Sequence, residues 1–450
     1  MKDDKDFDGL EKKVSFADQY TLRGRFMRPV DTSAILKHLM WQEFSLSRII
    51  AGWIIAIPTY DQKLQLGRHA YLHNRNVKFL RERIVELPGG LNDNEWIPSY
   101  VREAFDRLFT ASSPNAFFIS YLFVLKRLHE QYDELLLKLD PVLNAPTVDQ
   151  IKLNLVERDT ELNWVVNQTF FTDAESEELA LQAQNWEKYA VRVWSVFAGF
   201  NNHDMSSEIP WPIHPVQEAA GPMPEEARLE DKFQRFEVKR GQTAYTDPEM
   251  SVLSDSVKQM IYIYATEFTA GESLACVYYS VEQMPLAFYF DLARHMWDEF
   301  RHSRMGMRRL EQLGYTIDQF KWPTGPGLQL AKNHFTEIYS SLTMIGEACG
   351  FKKKRKSAEA FWKFGDVLSA ITVEFDLSDE RSHVDFGTKW GPELYKREGI
   401  IVTHQEMAEQ ARLRRLNEFD AVSPEDKEKL AKNFPAFCSL HTSELNYHKY

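Results

Sequence analysis

Apolar residues in this 450-residue chain recur at three- and four-residue intervals over long segments, while alternating runs bounded by turns are scarce. That period puts the apolar side chains on one face of a helix and leaves little from which to build a sheet, so the expected fold class is all-α. In the first half it predicts helices over about 31–57, 61–86, 115–140, 147–172 and 175–198. In the second it predicts 252–283, 286–313, 327–349 and 357–389, then shorter helices near 404–417 and 424–433. Between the halves, 199–250 is rich in Pro, Gly and charge and reads as a linker or an extended crossing segment. The run "FKKKRK" at 351–356 falls between two helical patterns and reads as a solvated loop.

Length and charge narrow the function classes. A chain of this size exceeds one core, so two domains are expected. The net charge of -12 repels a phosphate backbone, which argues against a nucleic-acid partner. No stretch has the uninterrupted apolar length of a membrane span, and "MKDDKDFDGLEKK" lacks the apolar core of a leader peptide, so a cytoplasmic location is expected. Cys276, Cys349 and Cys438 form no CxxC and suggest neither a disulfide framework nor a zinc or iron–sulfur site.

Two helical stretches, "WDEFRHSRMG" at 297–306 and "LSDERSHVDFG" at 377–387, each place a Glu three residues before a His. Three residues advance a helix by about 300°, so both side chains of such a pair can reach one ion. A single Glu-x-x-His is weak, since roughly one is expected by chance in a chain of this composition. The surroundings strengthen the pair. Glu272 sits in the apolar stripe formed by Ile261, Tyr264, Ala265, Phe268, Ala275, Cys276 and Tyr279, and Glu347 follows Ser340, Thr343 and Met344 on an inner face. A carboxylate on a core face is costly unless paired or bound to a cation. Four helices would thus contribute Glu272, then Glu299 with His302, then Glu347, then Glu380 with His383. That is the ligand order of two-metal carboxylate sites in four-helix bundles, and its oxygen-rich character suits Fe or Mn better than Zn. Asp376 is a further candidate, as a seventh ligand, an acceptor for His383 or a plain solvated Asp. His295 could orient a ligand, although a structural role is favoured. Asp298, Asp379, Arg301 and Arg381 turn away from the ligand face and read as ion pairs between helices. Tyr278, Tyr279 and Trp297 could line a substrate or radical path, although a core role is favoured.

Residues 260–390, through "LARHMWDEFRHSRM", "EACGF" and "DERSHVDFGTKW", resemble the ferritin-like superfamily and especially an uncharacterised bacterial group within it. The resemblance implies a four-helix bundle with a two-metal site on Glu272, Glu299, Glu347, Glu380, His302 and His383. It implies no particular substrate. A second similarity is internal: "LGRHAYLHNRN" (66–76) aligns without a gap with "LARHMWDEFRH" (292–302), and "VERDTELNW" (156–164) faces "DERSHVDFG" (379–387). Duplication accounts for this better than chance, with Glu43 taken as the counterpart of Glu272 and His73 of Glu299. The expected organisation is tandem ferritin-like bundles: a degenerate domain over 1–198, a linker over 199–250, a metal-binding bundle over 251–390 and a helical extension over 391–450. In the first half Glu43, His69 and His73 either hold one ion or belong to a bundle that has lost its site.

The expected function is that of a non-haem dinuclear iron, or manganese/iron or manganese, oxidase or oxygenase. It would activate O2 with Glu299 and Glu380 in catalytic roles and oxidise a small apolar or aromatic molecule. No flavin or nicotinamide fingerprint is present, so an external electron donor is expected. A homodimer is an open expectation. The rivals are an iron-storage cage, a hydroxylase acting on tRNA, and a metal-binding or scaffold protein without oxygenase activity.

Overall fold

The helical periods are realised as helices in the computed structural model, which describes residues 27–91, 97–168, 177–199, 209–215, 221–233, 235–237, 252–316, 322–324 and 334–419. The first half comprises α1 (Pro29–Ala56), α2 (Tyr60–Glu86), α3 (Ser99–Phe109), α4 (Pro114–Lys138), α5 (Ala145–Gln168) and α6 (Glu177–Gly199). The second comprises α7 (Val252–Ser280), α8 (Leu286–Gln312), α9 (Phe335–Ser341), a π-helical turn (Leu342–Glu347), α10 (Ala348–Phe364), α11 (Val367–Arg397) and α12 (His404–Phe419). Among the described residues the protein is all-α apart from one two-stranded parallel ribbon, β1 (Arg235–Glu237) beside β2 (Trp322–Thr324), with Arg235 opposite Trp322. No described helix is long and apolar enough to cross a membrane.

Three sequence expectations change. Helix α3 was not expected. Its buried face, Tyr100, Val101, Ala104, Phe105 and Leu108, is a clear helical stripe packed on α1 and α6. The segment 351–356 is not a loop: it lies inside α10, where a basic run and a buried lysine share one helix. The break between α10 and α11 comes instead at Gly365, whose φ of 81° places it in the left-handed region that glycine adopts freely. Asp366 N donates to the Phe361 carbonyl at 2.9 Å, closing the helix end, and the Asp366 side chain accepts from Ser369 N at 3.2 Å to open the next. The expected helix at 424–433 and much of 199–250 lie outside the described residues.

One continuous apolar core runs through both halves. Helix α1 packs along α2 and α7 along α8, and the two pairs meet as α1 against α7 and α2 against α8. Polar groups fix this junction. Tyr60 Oη and Ser303 Oγ lie 2.6 Å apart, Ser47 Oγ stands 2.9 Å from the Tyr278 hydroxyl, and Lys63 forms a fully buried ion pair with Glu272. The described parts of 209–233 run over the first half, with Met223 N donating to the Gly52 carbonyl at 3.1 Å and Arg228 N to that of Ile55 at 2.9 Å.

Candidate metal centre

Three helices and one π-helical turn of the second half bring carboxylates and imidazoles together in a buried cluster. Helix α8 presents His295, Glu299 and His302 from one stripe, because steps of three and four residues keep to one face. Helix α11 presents Asp376, Glu380 and His383 in the same way. The π-helical turn delivers Glu347; its wider coil adds a residue and rotates the helix beyond it, a distortion often found at functional sites. Helix α11 can approach this turn only because residue 387 is glycine: a Cβ there would lie 2.4 Å from Thr343 Cβ.

Three groups of potential ligands result, each with its donor atoms within 4.8 Å of one another: His295, Glu299, Glu347 and His383; Glu267, Glu299 and His302; and Glu267, Asp376 and Glu380. Of the residues expected from sequence, Glu299, His302, Glu347, Glu380, His383 and Asp376 meet here. Glu272 does not. It faces α2 and pairs with Lys63, and its place is taken by Glu267, on another face of the same helix. The connection after α7 is two residues longer than that after α1, so an ungapped shift of the second-helix alignment misplaces the first helices, and allowing for the longer loop pairs Glu43 with Glu267. His295, read as structural, lies with Nε2 3.1 Å from Glu299 Oε1 and 3.3 Å from Glu347 Oε1, its ring stacked 3.8 Å from that of His383.

The outer carboxylates do more than the sequence suggested. Asp379 Oδ2 lies 3.1 Å from His302 Nε2, and Asp298 Oδ2 lies 3.4 Å from His383 Nε2. Arg301 ties Asp298, at 2.9 Å, to Asp379, which is the interhelical ion pair expected from sequence. A proton donated outward from each Nε2 leaves each Nδ1 with a lone pair directed inward. His302 Nδ1 and His383 Nδ1, both Glu299 oxygens and Glu380 Oε2 are buried and lack a hydrogen-bond partner. Atoms of this kind are costly to bury unless a cation satisfies them, so the oxygen and imidazole donor set is compatible with metal binding.

Electrostatics reflect this crowding. Burial, then the charges of Glu347 and Glu267, pushes the Glu299 carboxyl well above the usual range. Burial lowers the His383 imidazole to about 4, aided by His295. Lys354, from α10, enters the same cluster: its Nζ lies 3.0 Å from Glu267 Oε1 and 2.9 Å from Asp376 Oδ1, and it is closely paired with Glu380. Burial alone would lower this lysine, but Asp376, Glu267 and Glu380 hold it well above its ordinary value.

The first half carries a related cluster filled by a guanidinium. Arg158 contacts Glu43 Oε1 at 2.5 Å and Glu161 Oε2 at 2.8 Å, His73 Nε2 lies 2.9 Å from Glu161 Oε1, and Tyr132 donates to Glu43 at 2.9 Å. Glu157, aligned from sequence with Glu380, instead faces outward and pairs with Arg75.

A family profile described as "Protein of unknown function (DUF455)" matches residues 192–422. Those limits include every member of the second-half cluster and exclude Glu43, His73, Arg158 and Glu161. No curated protein and no solved structure gives a match. With more than half of its length inside the profile, the chain belongs to the DUF455 family of proteins of unknown function.

Proposed function

We propose that this chain is a ferritin-like protein with tandem helical bundles whose second half holds a dinuclear iron or manganese centre that activates O2 to oxidise a small organic molecule. The observation that carries this reading is the inward Nδ1 atoms of His302 and His383, which lie 3.4 Å from Asp376 Oδ1 and 3.1 Å from Glu299 Oε1 and, like the Glu299 oxygens, are buried with no contact of hydrogen-bonding geometry. Glu299 belongs to two of the ligand groups, each of which includes imidazole, so it would be a ligand common to both ions. Redox-active ions there would supply electrons to O2. The residues do the rest: Asp298 and Asp379 hold protons on the outer ring nitrogens, Glu299 and Glu380 share charge with the cations, and burial excludes bulk water. An apolar or aromatic substrate and an external electron donor complete the proposal.

The tandem-bundle part draws support from matched placements. His69 in α2 corresponds to His295 in α8, Glu43 to Glu267, and each half closes a buried ionic cluster around them.

The test is anaerobic loading with iron(II), metal counting, and then exposure to O2 with a reductant present. The expected result is bound iron, O2 consumption and near-ultraviolet charge-transfer absorption, all lost in Glu299→Ala. Stable binding of a redox-silent metal, with no O2 consumption from the iron form, would replace the oxidase with a structural or hydrolytic site. Absence of bound metal would remove the centre altogether.

A further inference from the structure

We propose that the ammonium of Lys354 is a resident third cation of this centre, filling a position that Glu267, Asp376 and Glu380 would otherwise offer to a metal ion and so limiting the centre to two. This rests on the metal reading above and goes beyond it in assigning the lysine.

Helix geometry, rather than the reach of a flexible side chain, places this lysine. Glu347 and Lys354 are seven residues apart, two turns of helix, so both project from one face toward the cluster. The side chain is 4% exposed, which requires its charge to be compensated inside the protein. Its ammonium is within 3.0 Å of two carboxylates and pairs with a third, and those three carboxylates are one of the groups whose oxygens converge closely enough to share an ion. Glu380 Oε2 stays buried without a partner, so the position retains an unsatisfied oxygen beyond those the lysine contacts.

Charge supplies the second argument. The cluster holds five carboxylates, Glu267, Glu299, Glu347, Asp376 and Glu380. Two divalent ions and one ammonium carry five positive charges, so the three cation positions together bring the cluster to neutrality. Without the lysine, two ions would leave one buried negative charge uncompensated, and such a charge is strongly destabilising. A variant with a neutral side chain here leaves a negative charge in the cluster that another cation can offset.

The experiment compares the full chain with Lys354→Met, Lys354→Gln and Lys354→Arg. Each is stripped with a chelator and reloaded, or refolded where the metal-free form does not persist, with manganese(II) alone. Bound manganese per chain is counted by atomic emission, and thermal midpoints are read with and without the ion. One more ion per chain than in the wild type is expected in Lys354→Met or Lys354→Gln, with a larger manganese-dependent rise in midpoint. Lys354→Arg, which keeps the charge, should hold the wild-type number. If the wild type binds manganese and neither neutral variant takes an additional ion, the assignment of Lys354 is overturned while the metal centre stands. If the wild type binds none, both fall together.

Discussion

The imidazoles of His302 and His383 are useful as ligands only in one tautomer, and that tautomer is set from outside. Asp379 and Asp298 accept at the outer nitrogens, and Arg294 and Arg301 hold Asp298 ionised against a burial that would otherwise protonate it. Replacing Asp298 with Asn keeps the size but turns an obligate acceptor into a group that can also donate, so the imidazole loses its fixed orientation. Asp298→Asn and Asp379→Asn should each weaken manganese binding by about 10- to 100-fold with little change in fold. Competition with a chelating dye measures this, and unchanged affinity would show that the two Asp residues serve only Arg301. At this scale, Glu299, His302, Glu380 and His383 were readable because three-residue spacing has a single geometric meaning on a helix. Lys354 was not readable: within "FKKKRK" nothing local distinguishes a lysine that points inward from its solvated neighbours.

Among the elements, the turn over Leu342–Glu347 decides where a ligand falls. A regular α-helix from Phe335 to Phe364 could not keep the same face toward the cluster on both sides of this turn, since one added residue rotates the rest of the helix by about 100°. Deleting Ile345, inside the turn, should let the segment relax to a regular α-helix and carry Glu347 and Lys354 off the cluster. The expected outcome is unchanged helical circular dichroism with loss of at least one manganese ion. Retention of the full complement would show that the turn is incidental to ligand placement. The sequence pattern foretold a helix here, but it put the break before residue 357, because a polar basic run resembles a loop when the buried face beneath it cannot be seen. The true stop, Gly365 followed by Asp366, is a turn signal of the usual kind that the apolar periodicity had overridden.

For the whole molecule, the junction between halves rests on α1 and α2 lying against α7 and α8, with Lys63 and Glu272 buried there as a pair. Breaking a buried pair leaves one charge without compensation, whereas replacing both members with apolar groups removes the desolvation cost as well. Lys63→Met should therefore lower the stability to urea by about 3–5 kcal/mol, and Lys63→Met with Glu272→Met should recover most of that loss. Equal losses in the single and double variants would mean that packing, not charge, holds the junction. Within the first half, Arg158 supplies the positive charge of the cluster, so its carboxylates have a partner without any ion.

By itself the sequence determined the all-α class, the approximate places of the long helices, and most members of the second-half cluster. These depend on short-range periodicity, which the covalent chain enforces wherever a helix forms. The tertiary structure alone decided between Glu267 and Glu272, brought His295 into the cluster, set Asp298 and Asp379 behind the imidazoles, and buried Lys354. Each of those outcomes depends on which face of a helix meets which neighbour. That choice is made by packing between segments far apart in the chain, and a few residues of loop length or one extra residue in a turn is enough to change it.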